Sequence, residues 1–151
     1  MLERIQKTNY EKEDKILASE DRAIQNIKTG EALVNKIKSN NPNIKTTSSG
    51  LTYLIHKPGA GMVITDTDTL TLKFTVTHLD GKIIDSNDQA NIIPNQVISG
   101  LKEGLKMLRK GANATFWIPG HLGYGGHGQP NLSIGPMETI VFEVQISDVK
   151  K

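Results

Sequence analysis

Apolar and polar residues recur with two different periods along this chain, and the change falls near residue 45. Before it, Ile16, Ala23, Ile24, Ile27, Val34 and Ile37 stand roughly three to four residues apart, in a stretch free of proline up to Asn41. That is the spacing of an amphipathic helix. Gly30 is expected to interrupt it and to split off a short helix over "EALVNKIKS" that ends before "NNPN". The apolar stripe is thin, so this segment is expected to pack on the rest of the chain or on a partner. No heptad is sustained, which argues against a long zipper.

After a linker, "KTTSSG" at 45–50, the period becomes two. "LTYLIHK" reads as a first strand. "TLTLKFTVTHL" is the clearest strand: Leu70, Leu72, Phe74 and Val76 alternate with Thr69, Thr71, Lys73, Thr75 and Thr77. Asp80-Gly81 supplies a two-residue hairpin turn, and "KIID" returns. "VISGLKEGLKMLRKG" breaks the strands with one helix, whose Ile98, Leu101, Leu105 and Leu108 share a face and whose Gly111 stands at the C-terminal cap position. "NATFWIP" and "ETIVFEVQISDV" are the last strands, with Ile140, Phe142, Val144 and Ile146 facing inward. By the same alternation Trp117 points to the outer face. The class is therefore α+β, an antiparallel sheet with one helix against it.

Composition narrows the chemistry. A chain of 151 residues suits one modest domain, or a small domain with an extension. The formal charge of +2 is spread without a basic block, which argues against nucleic acid as a partner. With no cysteine there is no disulfide, thiolate nucleophile or Cys-ligated zinc. No stretch approaches the roughly 20 apolar residues of a membrane span, and the first residues lack the apolar core of a signal peptide.

The loop "GYGGHGQPNLSIGP" lacks the G-K-[ST] ending of a phosphate-binding loop and opens no helix. His56, His78, His121 and His127 have no carboxylate at ligand spacing, so no metal is expected. "TDTD" at 65–68 lacks the downstream Gly and Glu of a calcium loop. Ser99 precedes a glycine but sits in no nucleophile elbow. What remains is a groove: apolar inward residues, one helix, an inward-prone Asp85 and a tyrosine, Tyr124, on a glycine-rich loop. Such a groove suits an apolar ligand with few polar contacts. The plain alternative for Tyr124 is packing over the core edge.

Four stretches in order, "FTVTHLDGKIIDSN", "VISGLKEGLKMLRKGANATFWIP", "HLGYGG" and "IGPMETIVFEVQISDV", resemble the FKBP-type peptidyl-prolyl isomerases over about residues 50–150. The resemblance implies a strongly curved five-stranded sheet wrapped around the single helix, with residues 1–44 as an N-terminal helical extension and 45–151 as the isomerase domain. It implies a proline pocket with Tyr124, Asp85 and the Ile98 backbone N–H in the catalytic roles. Phe74, Ile84, Val97, Leu101, Leu132, Ile134 and Phe142 would bind substrate. Proline-containing polypeptides are the implied partners, with no cofactor, and the extension resembles that of longer bacterial members whose N-terminal helices dimerise. Those members are often exported to the cell envelope; a cytoplasmic protein would look the same.

Two departures from the family pattern stand out: Leu101 occupies the position of the pocket-floor tryptophan, and Ile84 that of an aromatic before the aspartate. They keep open a second reading, a binding or chaperone module on the same fold with weak or no turnover. A third, a transcript-cleavage factor, needs a long helical hairpin that some 40 residues at ~1.5 Å each, folded into two arms, do not reach.

Overall fold

The structure is a computed structural model; it describes the backbone of residues 2–151, and side chains from residue 20 onward. The order of the main elements is α1 (Leu2–Asn40), β1 (Lys45–Thr46), β2 (Thr52–Lys57), β3 (Thr69–His78), β4 (Ile83–Ile92), α2 (Ser99–Leu105), β5 (Asn113–Ile118) and β6 (Ile140–Lys150).

The expected break at Gly30 does not occur. Helix α1 runs unbroken through it. A glycine inside a helix costs about 1 kcal/mol relative to alanine, yet Gly30 is buried where α1 meets the sheet domain, and contact offsets the local propensity. Of the helical stripe, Ile16 lies outside the residues whose side chains are described. One continuous helix also removes the hairpin that the transcript-cleavage reading required.

Six strands, all antiparallel, lie in the order β1-β2-β5-β6-β3-β4. The sixth, absent from the five-stranded expectation, is the two-residue β1. It uses Lys45 and Thr46 of the expected linker to pair with Tyr53 and Thr52. Strand β4 is also longer than "KIID". Its polar continuation, Ser86 to Asn91, hides the strand from any hydrophobic pattern because β4 is an edge and is mostly exposed. The hairpin joining β3 to β4 is not the two-residue turn expected. The His78 N–H donates to the Lys82 carbonyl at 2.9 Å across a three-residue loop, Leu79-Asp80-Gly81, and the Gly81 N–H donates to the His78 carbonyl at 3.0 Å. Within the loop only Gly81 takes a positive φ, +91°.

Helix α2 is shorter than expected. It stops at Leu105, because Met107 and Leu108 donate to carbonyls three residues back and tighten the chain into a turn. Leu108 nonetheless remains fully buried. Gly111 takes a positive φ of +87°, in the turn leading to β5 and not at a helix cap.

The core fills the concave side of the sheet. Leu70, Leu72, Val76, Ala114, Phe116, Ile118, Ile140, Phe142, Val144 and Ile146 enter it from the strands, as alternation requires, and Leu101 and Leu105 enter it from α2. Helix α2 seats closely because it carries glycines four residues apart. A Cβ on Gly104 would stand 2.6 Å from the Phe116 ring, and one on Gly100 2.6 Å from Ile118 Cγ2. The opposite face of β5 is not free surface. Trp117 does point outward, but it is only 9% exposed because α1 lies across it.

Candidate functional site

Strand register sets the site. Across the sheet, Asp85 of β4 pairs with Val76 of β3, Val76 with Phe142 of β6, Phe142 with Phe116 of β5, and Phe116 with Tyr53 of β2. Residues paired across antiparallel strands share a face. The row therefore runs from an acidic edge to an aromatic interior along the concave side. One pleat away, Phe74 lies beside Phe142, with ring centroids 6.0 Å apart and planes tilted by 39°.

A cavity of about 340 Å³ opens at the β4 end of this row. Phe74, Val76 and Phe142 line it from the sheet; Ile84, Asp85 and Ile92 line it from β4. Val97, Ile98 and Leu101 come from the approach to α2 and its first turn, and Tyr124, Leu132 and Ile134 from the long loop before β6. All ten residues expected from sequence meet here. Three that were not expected, Val76, Ile92 and Gln96, meet them. Val76 was legible, since strand alternation already turned it inward. Ile92 and Gln96 follow the polar run that hid the end of β4.

Each group reaches the cavity for a local reason. Ile98 immediately precedes α2, with φ −57° and ψ 151°, and its carbonyl accepts the Lys102 N–H at 3.0 Å, the first bond of the helix. Leu101, one turn on, is held in the core as α2 packs against β5. Tyr124 stands between two single helical turns, Gly120–Leu122 and Gly125–His127, with φ −92° and ψ 1°. That is the sparsely populated bridge region, used by turns and by many functional residues. It brings a half-buried ring over the cavity. The plain expectation of core-edge packing holds as well, since the ring also packs against the core cluster.

Asp85 departs from the expectation of an inward residue. It lines the rim while remaining exposed, and its Oδ1 accepts the N–H of Ser86 at 2.8 Å. A carboxylate in this position is wet and ready to meet a polar group. It is not sealed in an apolar pocket. The arrangement offers an apolar bowl with one phenol above it and one carboxylate at its lip. No base sits beside a nucleophile.

The histidines do not gather. His56 Nε2 lies 2.8 Å from Thr115 Oγ1, His121 Nε2 lies 2.8 Å from the Ser49 carbonyl, and His78 Nδ1 pairs with Glu138. Among the described residues no three of His, Asp or Glu form a cluster suited to a metal ion. A second cavity, about 380 Å³, lies between α1 and the outer face of the sheet over Trp117. It is the larger of the two, but it collects none of the expected site residues.

Comparison with known proteins places the chain in a family. The sequence model of the FKBP-type peptidyl-prolyl cis-trans isomerases matches residues 61–147. A probable FKBP-type peptidyl-prolyl cis-trans isomerase of Haemophilus influenzae is 35% identical, over 97% of this chain and 64% of its own length. The outer membrane protein MIP of Legionella longbeachae is 35% identical, over 86% of this chain and 57% of its own. The crystal structure of FkpA from Escherichia coli superposes with a TM-score of 0.83 at 32% identity, covering 97% of this chain and 71% of that one. The chain spans 40 to 64% of the length of the first curated relatives it matches.

Proposed function

Because the chain belongs to the FKBP-type peptidyl-prolyl cis-trans isomerase family, we propose that it accelerates cis–trans interconversion of X-Pro bonds in extended or unfolded polypeptides. The observation that carries this is the convergence of the aromatic pair, Leu101, Asp85, Ile98 and Tyr124 on one apolar cavity of about 340 Å³, room for a prolyl ring and its neighbours. Residues 1–44 are the helical extension in this reading and 45–151 the isomerase domain.

The chemistry asks little of the protein. Resonance gives the C–N bond its double-bond character and a rotation barrier of ~18–20 kcal/mol. A twisted amide loses that resonance, and its carbonyl carries less charge. An apolar, water-poor cavity therefore favours the twisted form over the planar one. Phe74, Phe142, Leu101 and Ile134 supply that medium, with Val97 and Leu132 completing the walls. The Tyr124 O–H donates to the substrate carbonyl and holds one side of the rotating bond, the Ile98 N–H serves likewise, and Asp85 meets the polar backbone beyond the proline. No bond breaks, so the site needs neither nucleophile nor cofactor.

The test is exchange NMR on a short Leu-Pro peptide with catalytic amounts of protein. Faster exchange, reduced by Asp85→Ala, is the expected result. Peptide binding without faster exchange, at micromolar protein, would leave only a binding module.

The extension leaves Ile24 at 51% and Leu33 at 39% exposure, apolar surface on α1 that supports self-association through the N-terminal helices. A homodimer is the expected mass in sedimentation equilibrium, and a monomer at all concentrations would remove the idea. Similarity to a relative named as an outer membrane protein supports a place in the cell envelope, in preference to the cytoplasm; fractionation of the host decides between them. No described helix is long and apolar enough to cross a membrane.

A further inference from the structure

Two residues of α1, one helical turn apart on the same side, touch a single segment of the sheet domain. Asn26 Nδ2 donates to the Pro136 carbonyl at 2.8 Å. Gly30 lies so close to Thr139 that a Cβ there would stand 2.5 Å from its Oγ1.

The segment they hold, 135–139, is tied to the two loop-borne walls of the cavity, Ile134 and Tyr124. Ile134, its neighbour, is a wall. The Met137 N–H donates to the Gly125 carbonyl at 2.8 Å, next to Tyr124. Glu138 closes the turn on itself by accepting the Gly135 N–H at 3.0 Å, and anchors it to the end of β3 through His78. The segment therefore has fixed attachments to the sheet on one side and to α1 on the other.

Beyond these two, Lys38 Nζ of α1 donates to Thr46 Oγ1 of β1 at 2.7 Å. A cavity of about 380 Å³ lies between this part of α1 and the sheet, lined by Ile27, Val34 and Trp117, so the polar contacts at Asn26 and Lys38 and the close approach at Gly30 flank a gap. We infer that Asn26 and Gly30 are positioning residues for the proline pocket: α1, docked through them on residues 135–139, sets the placement of Ile134 and Tyr124. Substrate affinity is then sensitive to whatever draws α1 away. This inference rests on the isomerase reading only for its kinetic readout.

The experiment uses the full chain and its single tryptophan, Trp117, which lies under α1 and reports docking by its emission wavelength. Three variants are compared with wild type. Asn26→Asp keeps the size but loses the donor, Gly30→Val drives a side chain into Thr139, and Lys28→Gln on the exposed side of α1 is the control. Expected for the first two are a red shift, faster amide exchange over residues 124–137, and a KM for the Leu-Pro peptide raised about fivefold with kcat unchanged, the pattern of lost uniform binding. A general loss of structure would instead speed exchange in β5 and β6 as well.

A red shift with exchange and KM at wild-type values would overturn the coupling. So would unchanged emission in Gly30→Val, since α1 would not then be docked through these residues. If wild-type protein shows no turnover, the function proposed above fails. Amide exchange over 124–137 then decides this inference by itself.

Discussion

Phe116→Ala is expected to lower the unfolding free energy by about 3–5 kcal/mol, the range for truncating a fully buried phenylalanine. Phe116 is 0% exposed, pairs with Tyr53 and Phe142 on either side, and is the surface against which α2 lies at Gly104. Deleting its ring leaves a cavity at one of the two places, with Gly100 beside Ile118, where helix and sheet are in closest contact. Against a typical total of 5–15 kcal/mol, the loss is a large share of the stability. Urea denaturation followed by far-UV circular dichroism measures it, with the slope checked for change. A loss below about 1 kcal/mol would mean that α2 collapses onto the sheet without strain, contrary to the packing at Gly104.

The largest effect on turnover is expected at Tyr124. In the proposed mechanism Tyr124→Ala removes a hydrogen bond to the substrate worth about 1 kcal/mol and an apolar contact worth about 1–2 kcal/mol more. Together they predict a fall in kcat/KM of roughly 30–140-fold, at 1.4 kcal/mol per factor of ten. Tyr124→Phe divides the two contributions, with a fall of about fivefold expected from the hydroxyl alone. Stability should change little in Tyr124→Phe, because the residue is half-buried on a loop and not part of the sheet. Progress curves with a proline peptide, together with thermal melts, provide both numbers. Equal kcat/KM for wild type and Tyr124→Phe would show that the hydroxyl does not hold the substrate carbonyl and would reduce Tyr124 to a lid.

Under the inference drawn above, the contact of α1 with residues 135–139 gives the extension a role besides the self-association proposed for it. Helix-borne contacts on a loop beside a binding cavity convert a change in helix position into a change in affinity, provided that the two arrangements differ in free energy of binding. Asn26 and the Pro136 carbonyl are well placed for this: the bond is partly buried and spans 110 residues of sequence.

Much of this molecule was determined by the sequence by itself. Alternation at Leu70 to Val76 and at Ile140 to Ile146 identifies the central strands, because a half-buried strand must show its core to one side at every second residue. The place of the β3–β4 turn follows from Gly81, which alone in that loop takes a positive φ, although the loop has three residues and not two. The four family-like stretches hold nine of the ten expected residues, all but Leu132, and all ten line one cavity. Tertiary structure decided the rest. Strand β4 continues through Ser86 to Asn91 because β3 offers it hydrogen bonds, and an exposed edge needs no apolar pattern to accept them. Helix α1 passes through Gly30 because contact with Thr139, 109 residues away, outweighs a weak local preference. Trp117 faces outward as alternation demands yet is buried, since burial depends on what another part of the chain lays over it. Local pattern records which face a residue takes; only the long-range contacts decide what that face meets.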